Sequence, residues 1–599
     1  MIGGLLRPPN LLVPITTPCC DAHHGTTSGS FLTLGVKLRN LSAPAVCLDA
    51  YPQRVINPWI VTCSVMLATF MEVLDTTVVN VSIPHIAGNL ASTNEEGTWV
   101  VTSYLVSNAI VLPISGWLAN HVGRKRLLLA CVAGFTITSF LCGMAGSLTQ
   151  LIIFRILQGL TGGGLQPLAQ AILLETFPKE RHGHAMAAFG IGILLAPILG
   201  PTLGGWITDN YSWRWIFYLN LPVGVLSLFL MNRFVFDPHY VKRGDGKVDL
   251  WGIGLLALGI GSLQIVLDTG QRKDWFSSQY IRTFTVLCVF GLVALIIREL
   301  MTDHPVVDLR VLKNRSFSAG VFLIGMLGFV LYASLVLLPL YLQTLMGYPA
   351  YNSGLALSPR GIGALLFTPL AGHLTTKTDP RRLLAVGIVL GSITMFQLSG
   401  LNLYAGFWDI FWAQILQGVA LSFLFIPLMA LAMARIQPEK MGNATSIFNL
   451  MRNIGGSVGI AIMTTFLARR TQMHQNHLVA NVTPGSPQAL RMLQGMRANF
   501  YAHGADSVTA SRKALAAMYG MVQQHASMLA FVEAFWIMGV VFLLMLPFLP
   551  LLQYAKKKRV PQPAPKLQRL PANSVPQPQV KPEPVDDQVL EEEPHLVIH

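Results

Sequence analysis

Gly116-Trp-Leu-Ala-Asn-His-Val-Gly-Arg-Lys-Arg-Leu-Leu128 is the stretch on which the architecture turns, because its frame returns later in the chain. Gly372-His-Leu374 followed by Asp379-Pro-Arg-Arg-Leu-Leu384 repeats it at an offset of 256 residues. Ile156-Leu-Gln-Gly159 then returns as Ile415-Leu-Gln-Gly418, and Gly183-His-Ala185 with Phe189 returns as Gly442-Asn-Ala444 with Phe448, both at an offset of 259. Three matches in order, at nearly one offset, describe an internal duplication.

Around these strings lie fourteen apolar runs of helical length, near 57–82, 98–118, 127–146, 148–174, 187–208, 216–235, 250–268, 282–300, 317–342, 353–374, 383–402, 407–433, 445–467 and 526–553. A membrane crossing takes about 20 apolar residues, so fourteen occupy about 280 positions. The duplication maps spans two to five onto spans ten to thirteen. The expected fold is therefore an all-α polytopic membrane protein with 14 transmembrane helices in 6 + 2 + 6 order, two pseudo-symmetric six-helix bundles flanking an inserted pair. Corresponding spans run in the same direction, which makes the halves parallel repeats able to rock about a central cavity. Expected boundaries are a cytoplasmic, unstructured leader at 1–55, bundles at 56–235 and 316–555, the inserted pair at 236–315, a long outer connection at 468–525, and a Pro-rich tail at 556–599.

Composition agrees with this reading. Of 599 residues 52% are apolar and 12% charged, against about 25% charged in soluble domains, and mean hydropathy is +0.52. The net charge of +14 sits in short runs beside apolar segments, which argues for a membrane and against nucleic acid. Arg124 to Arg126, Lys179 and Arg181, Lys242, Arg243 and Lys247, Arg310 to Arg315, Lys377 to Arg382, Arg435 and Lys440, and Lys556 to Arg559 all fall on one face. That face, with both tails, is expected to be cytoplasmic. No cofactor, metal or catalytic site is expected. Cys19, Cys20, His23 and His24 lack paired ligand spacing, and the run Gly162 to Gly164 has no P-loop lysine after it.

The first span carries Glu72 and Asp75, three residues apart and hence on one helical face. An intramembrane carboxylate is costly, and a functional role is its default reading. Asp75 stands about 27 Å along the helix from Asn57, and Arg155 about 10–12 Å from the outer start of the antiparallel fourth span. Their depths agree, so Arg155 and Asp75 or Glu72 are expected to face one cavity, where the guanidinium lowers the carboxylate pKa and proton binding weakens the pair. The alternative is a fixed ion pair that only orients helices. Asn80, Gln158, Arg360, Arg452 and Glu533 are the expected lining of the substrate cavity.

In the fifth span Gly192, Ala196, Gly200 and Gly204 recur every four residues beside Pro197, Pro201 and Gly205. This is a smooth face for close helix contact, and prolines four apart predict a local bend or unwinding. The loop motif Gly116, Asn120, Gly123, Arg124, Lys125 and Arg126 reads either as a topology marker or as a cytoplasmic latch.

Leu74-Asp-Thr-Thr-Val-Val-Asn80 with Pro84, Gly116 to Arg126, Arg155-Ile-Leu-Gln-Gly159, Gly200-Pro201 to Gly204-Gly205, and Trp213-Arg-Trp-Ile-Phe217 with Asn220 and Pro222 together resemble the major facilitator superfamily. More narrowly they resemble its fourteen-helix drug:proton antiporter branch, the EmrB/QacA type, over about 55–555. The resemblance implies a major facilitator fold in the inner membrane of a bacterium, export of amphipathic compounds driven by the proton gradient, and coupling positions at Asp75 and Arg155. It also implies partners: substrate and protons, the lipid bilayer, and a periplasmic adaptor with an outer-membrane channel. Asn120 and His121 replace the Asp and Arg usual in the loop motif, and Ala187 and Ala196 replace glycines in the fifth span. Export of a metabolite, amino acid or siderophore, import by symport, and a non-transporting membrane sensor or scaffold remain as other readings.

Overall fold

The computed structural model describes residues 57–178, 181–236, 249–302, 305–483 and 485–553. The expected leader and tail, the Cys19 to His24 cluster, and the basic positions Lys179, Lys242, Arg243, Lys247 and 556–559 lie outside these residues. Among the described residues there is no strand. The first half contains α1 (Pro58–Asn89), α2 (Asn94–Gly97), α3 (Trp99–Val122), α4 (Arg124–Met144), α5 (Leu148–Gly162), α6 (Leu165–Thr176), α7 (His182–Asn210), α8 (Trp215–Tyr218) and α9 (Asn220–Phe234). The inserted pair is α10 (Leu250–Thr269) and α11 (Gln279–Met301). The second half contains α12 (Arg315–Thr344), α13 (Ala350–Leu357), α14 (Pro359–Lys377), α15 (Pro380–Ser399), α16 (Phe407–Met433), α17 (Met441–Val479), α18 (Pro487–Ala502) and α19 (Ser507–Leu543).

Helix starts follow local chemistry. Asn57, Ser147, Asp249, Asn314, Asp379 and Asp506 each turn a side-chain oxygen onto a free backbone N–H of the first turn, which satisfies a donor the helix itself cannot. Among the described residues twelve helices are long and apolar enough to cross a membrane. The two other expected spans fall on broken or polar helices. Span four is split into α5 and α6 at Gly163-Gly164, where a run of glycines weakens the helix and a Cβ on Gly163 would meet Asn108 O at 2.6 Å. Span ten is α13 with α14, shortened by Pro359 and made polar by Arg360, Thr375 and Lys377. With these two the order is consistent with the expected fourteen.

Two expectations change. The 468–525 connection is largely helical: α17 has 39 residues, α19 has 37, and α18 lies between them. At about 1.5 Å per residue α17 is about 58 Å long, so part of it stands clear of a hydrocarbon core about 30 Å thick. And α7 runs unbroken through Pro197 and Pro201, so the local unwinding does not occur.

Packing places the site. In the first half α1 lies between α7 and α9, and α3 lies against α5. The small face of α7 makes the first of these contacts possible: a side chain at Gly192, Gly200 or Gly204 would strike Met66, Thr77 or Val78 of α1. In the second half α12 packs on α17, and α14 and α15 on α16. The halves meet along α3 with α17 and α7 with α14. Backbone touches backbone there, since a Cβ on Gly116 would lie 2.7 Å from the Gly442 carbonyl and one on Gly183 2.6 Å from Gly372 O. The inserted α10 leans on α3 and α17, joined to the latter by a Gln264–Ser457 hydrogen bond.

Candidate functional site

Ser147 caps α5 and fixes its start, and two turns later Arg155 reaches across to α1. Arg155 Nη1 lies 2.6 Å from Asp75 Oδ2, with both side chains wholly inaccessible to solvent. The same Nη1 donates to Gln158 Oε1 at 2.6 Å, and Nε donates to Val100 O at 3.0 Å. The guanidinium also lies 4.3 Å from the Tyr104 ring and 5.7 Å from that of Phe217, the quadrupole faces that attract a cation. Asp75 Oδ1 accepts from Asn220 Nδ2 at 2.8 Å and from Gln158 Nε2 at 3.2 Å. Ser139 Oγ accepts from both of those amides, at 3.3 and 2.7 Å.

Burying two charges is tolerable only when their remaining donors and acceptors are satisfied. Here α1, α3, α4, α5 and α9 supply the partners, all from the first half. The expected shared site is a solvent-inaccessible ion pair in this conformation, and Glu72 belongs to a different cluster. Its Oε1 accepts from Tyr104 Oη at 3.3 Å and Asn108 Nδ2 at 3.2 Å, and its Oε2 from Gln166 Nε2 at 2.5 Å.

Other expected residues are redistributed. Gln158 is fully buried as a partner of the ion pair. Arg360 is also buried, and its Nε donates to Gln414 Oε1 at 2.9 Å and its Nη1 to Ser334 Oγ at 3.5 Å. Arg452 is buried where α17 meets the first half and donates to Gln166 Oε1. Asn80 is exposed, its amide bonded to Thr76 O at 3.2 Å. Glu533 is not at a cavity between the halves: it pairs with Arg470 and lies 3.1 Å from His474 Nε2. The cause is the unexpected length of α17, which carries Arg470 and His474 alongside α19.

In the loop motif Gly123 adopts φ +96°, a conformation that favours glycine. Arg124 is buried, pairs with Glu175 of α6, and donates to Pro438 O of the second half at 3.5 Å. Lys125 Nζ donates to Asn232 O at 2.7 Å and lies over the Phe236 ring. Arg126 is exposed and Asn120 half-buried.

Sequence reading did not single out Ser139, Tyr104 or the donor role of Asn220. It also missed a relation the duplication contains. At the offset of 259, Asp75, Arg155 and Gln158 become Ser334, Gln414 and Gln417. The structure joins these as well, with Gln417 Nε2 donating to Ser334 Oγ at 3.4 Å and Arg360 reaching into the group from α14. The second half thus keeps the constellation in neutral form and supplies its cation from another helix.

The sequence profile of the Major Facilitator Superfamily matches residues 65–460. The chain belongs to this superfamily. It is 40% identical over 438 residues to the multidrug export protein EmrB of Escherichia coli (strain K12), covering 72% of this chain and 85% of that one. It is 38% identical to the fatty acid resistance protein FarB of Neisseria gonorrhoeae over 71% of this chain and 84% of that one. It is 29% identical to the colistin resistance protein EmrB of Acinetobacter baumannii over 71% and 83%. The fold is shared with solved structures. A double-tryptophan variant of XylE aligns with TM-score 0.55 at 16% identity, covering 84% of this chain and 97% of that one. The human organic anion transporter MFSD10 (TETRAN) aligns with TM-score 0.52 at 11% identity, covering 82% and 100%. As a member of this superfamily of transporters, the chain is a multi-pass membrane protein.

Proposed function

We propose that this protein is a proton-coupled exporter of drugs and other small amphipathic compounds, working as a drug:proton antiporter across the bacterial inner membrane with both termini cytoplasmic. The observation that carries the reading is the Asp75–Arg155 ion pair, buried within membrane-spanning helices and held by partners from five helices of the first half. A carboxylate at that depth persists only with compensation, and the compensation here is a single guanidinium. When a proton binds Asp75, the contact becomes neutral and Arg155 is favoured in any state that lets water reach it. A proton and a conformational change are thereby linked, as rocking transport requires.

Other residues take supporting roles. Gln158, Asn220 and Ser139 orient the carboxylate. The α7 face of Gly192, Pro197, Gly200, Pro201, Gly204 and Gly205 lets α1 and α7 sit close enough to prevent leakage. Arg124, through Glu175 and Pro438 O, latches the end where the basic loops lie. The relatives' names, multidrug export and fatty acid resistance, support an amphipathic cargo, and a periplasmic adaptor with an outer-membrane channel is the partner set proposed with it.

The test is transport in proteoliposomes with a fluorescent amphipathic dye. An imposed proton gradient drives dye uphill in the native protein, whereas Asp75→Asn loses uphill movement but retains dye counterflow. Uphill transport by Asp75→Asn at the native rate rejects the coupling role, and the lack of counterflow by the native protein for a panel of dyes and fatty acids rejects the exporter.

A further inference from the structure

The Asp75 site draws every partner from one half, so a rigid rocking of the halves leaves it unchanged. One turn earlier on α1, Glu72 is different. Its Oε2 accepts from Gln166 Nε2 on α6, and Gln166 Oε1 accepts from Arg452 Nη2 on α17 of the second half. Glu72 and Arg452 are each 2% exposed. Among the described residues Arg452 Nε and Nη1 have no hydrogen-bond partner, which leaves the Gln166 amide as its link to the protein.

An amide has one donating and one accepting end, and here a carboxylate and a guanidinium orient it. The other bonds across this seam have neutral acceptors: Asn449 with Gln170 at 2.5 Å, Ser446 with Ser115 at 3.0 Å, Thr445 with Pro167 O at 3.1 Å, and the Arg124 guanidinium with Pro438 O at 3.5 Å. Their strength does not follow pH. The groups that act on Glu72 are Arg452 from α17, Tyr104 and the Asn108 amide from α3, and the Gln166 amide from α6. Beyond Tyr104 lies the Asp75–Arg155 pair, already compensated within itself.

We propose that Glu72 is the carboxylate whose protonation releases the seam between the halves, acting through Gln166 on Arg452. With Glu72 ionised, opposite charges at the two ends of one amide hold α6 against α17. With Glu72 protonated, Arg452 becomes a buried cation with no counter-charge, and such a group is unstable until water reaches it. Water reaches it when the halves part. The inference deepens the export reading and rests on it for the direction of transport, but seam opening is measurable without any cargo.

The experiment uses the full chain in lipid nanodiscs, with Cys19, Cys20, Cys47 and Cys63 replaced by Ser and spin labels at Val122 and Glu439, exposed positions on the two sides of the seam. Label separation is read between pH 5 and 9 by double electron–electron resonance. The native protein lengthens as pH falls. Glu72→Gln shows the long population at every pH, and Gln166→Leu, which cuts the amide but keeps both charges, moves the midpoint by about one pH unit or more. Gel filtration checks that each variant is folded, and Gln166→Leu carries the test if Glu72→Gln does not fold. A native protein without a pH response, or a native midpoint in folded variants, overturns the proposal. Uphill export with an unchanged seam response in Glu72→Gln sinks this inference alone, whereas a normal seam response without counterflow sinks the export reading alone.

Discussion

Asp75→Asn changes one oxygen to an NH2 in a site without solvent, and its cost follows from the partners around it. Asp75 Oδ2 faces Arg155, while Oδ1 accepts from Asn220 and Gln158. An amide satisfies only one side. With its oxygen toward Arg155, its NH2 meets two other NH2 groups; with its oxygen toward Asn220 and Gln158, its NH2 meets the guanidinium. In both orientations Arg155 loses its counter-ion, a loss of about 3–5 kcal/mol for a buried pair. The double variant Asp75→Asn/Arg155→Gln removes the orphaned charge and approaches the neutral Ser334, Gln414 and Gln417 arrangement that the second half already contains. Thermal unfolding in one detergent is expected to show a marked fall for the single variant and recovery of more than half of it in the double, a coupling that a double-mutant cycle reads directly. Neither variant drives dye uphill. A single variant as stable as the native protein, or a double variant less stable than the single, refutes the reasoning, because Arg155 would then be compensated by something other than Asp75.

Gly204→Ala puts a Cβ 2.8 Å from Val78 O and is expected to cost about 1–3 kcal/mol and most transport, while Gly205→Ala, whose nearest neighbour is 3.8 Å away, is near neutral; melting curves and dye efflux compare them. Gly116→Ala presses on the Gly442 carbonyl and is expected to hold the seam apart, read as faster labelling of a cysteine placed at Val122. Asp249 caps α10 and accepts from Arg298 Nη2 at 2.8 Å, and that guanidinium holds its carboxyl below the ordinary 3.8. A depressed value stabilises the fold above the ordinary range and ceases to do so as pH falls through the lowered value. Asp249→Asn keeps the cap and loses the ion pair to the exposed Arg298, so it is expected to cost at most a few tenths of a kcal/mol at neutral pH, with the gap from native protein closing only below the usual carboxylate range in a pH series of melting curves.

The duplication and the spans were legible because apolar runs and repeated strings are properties of the chain alone. The Asp75–Arg155 meeting was legible too, since a rise per residue converts sequence position into depth. Ser139, Tyr104 and Asn220 were not. The helices that carry them are apolar around most of their circumference, so periodicity does not say which side faces a neighbour. The continuation of α17 past Leu467 was hidden for the opposite reason: Arg469, Arg470, Gln472 and His474 lower the hydropathy, yet nothing in them interrupts a helix. That error misplaced Glu533, whose partners lie on the continuation. Glu72 stood out as an extra acid, but Gln166 lies 94 residues away from it, and only folding reveals that this amide bridges two bundles.

The unbroken course of α17 makes it a pointer as well as a wall. Arg452 is where α17 bonds the first half through Gln166, and were the helix to pivot there, the stretch to Val479 would be an arm about 40 Å long. Tilting the rod by about ten degrees around that point would swing its tip sideways by about 7 Å. The outer part of this arm is clasped by α19 through Arg470, His474 and Glu533. A small movement at such a pivot would thereby be magnified along the arm.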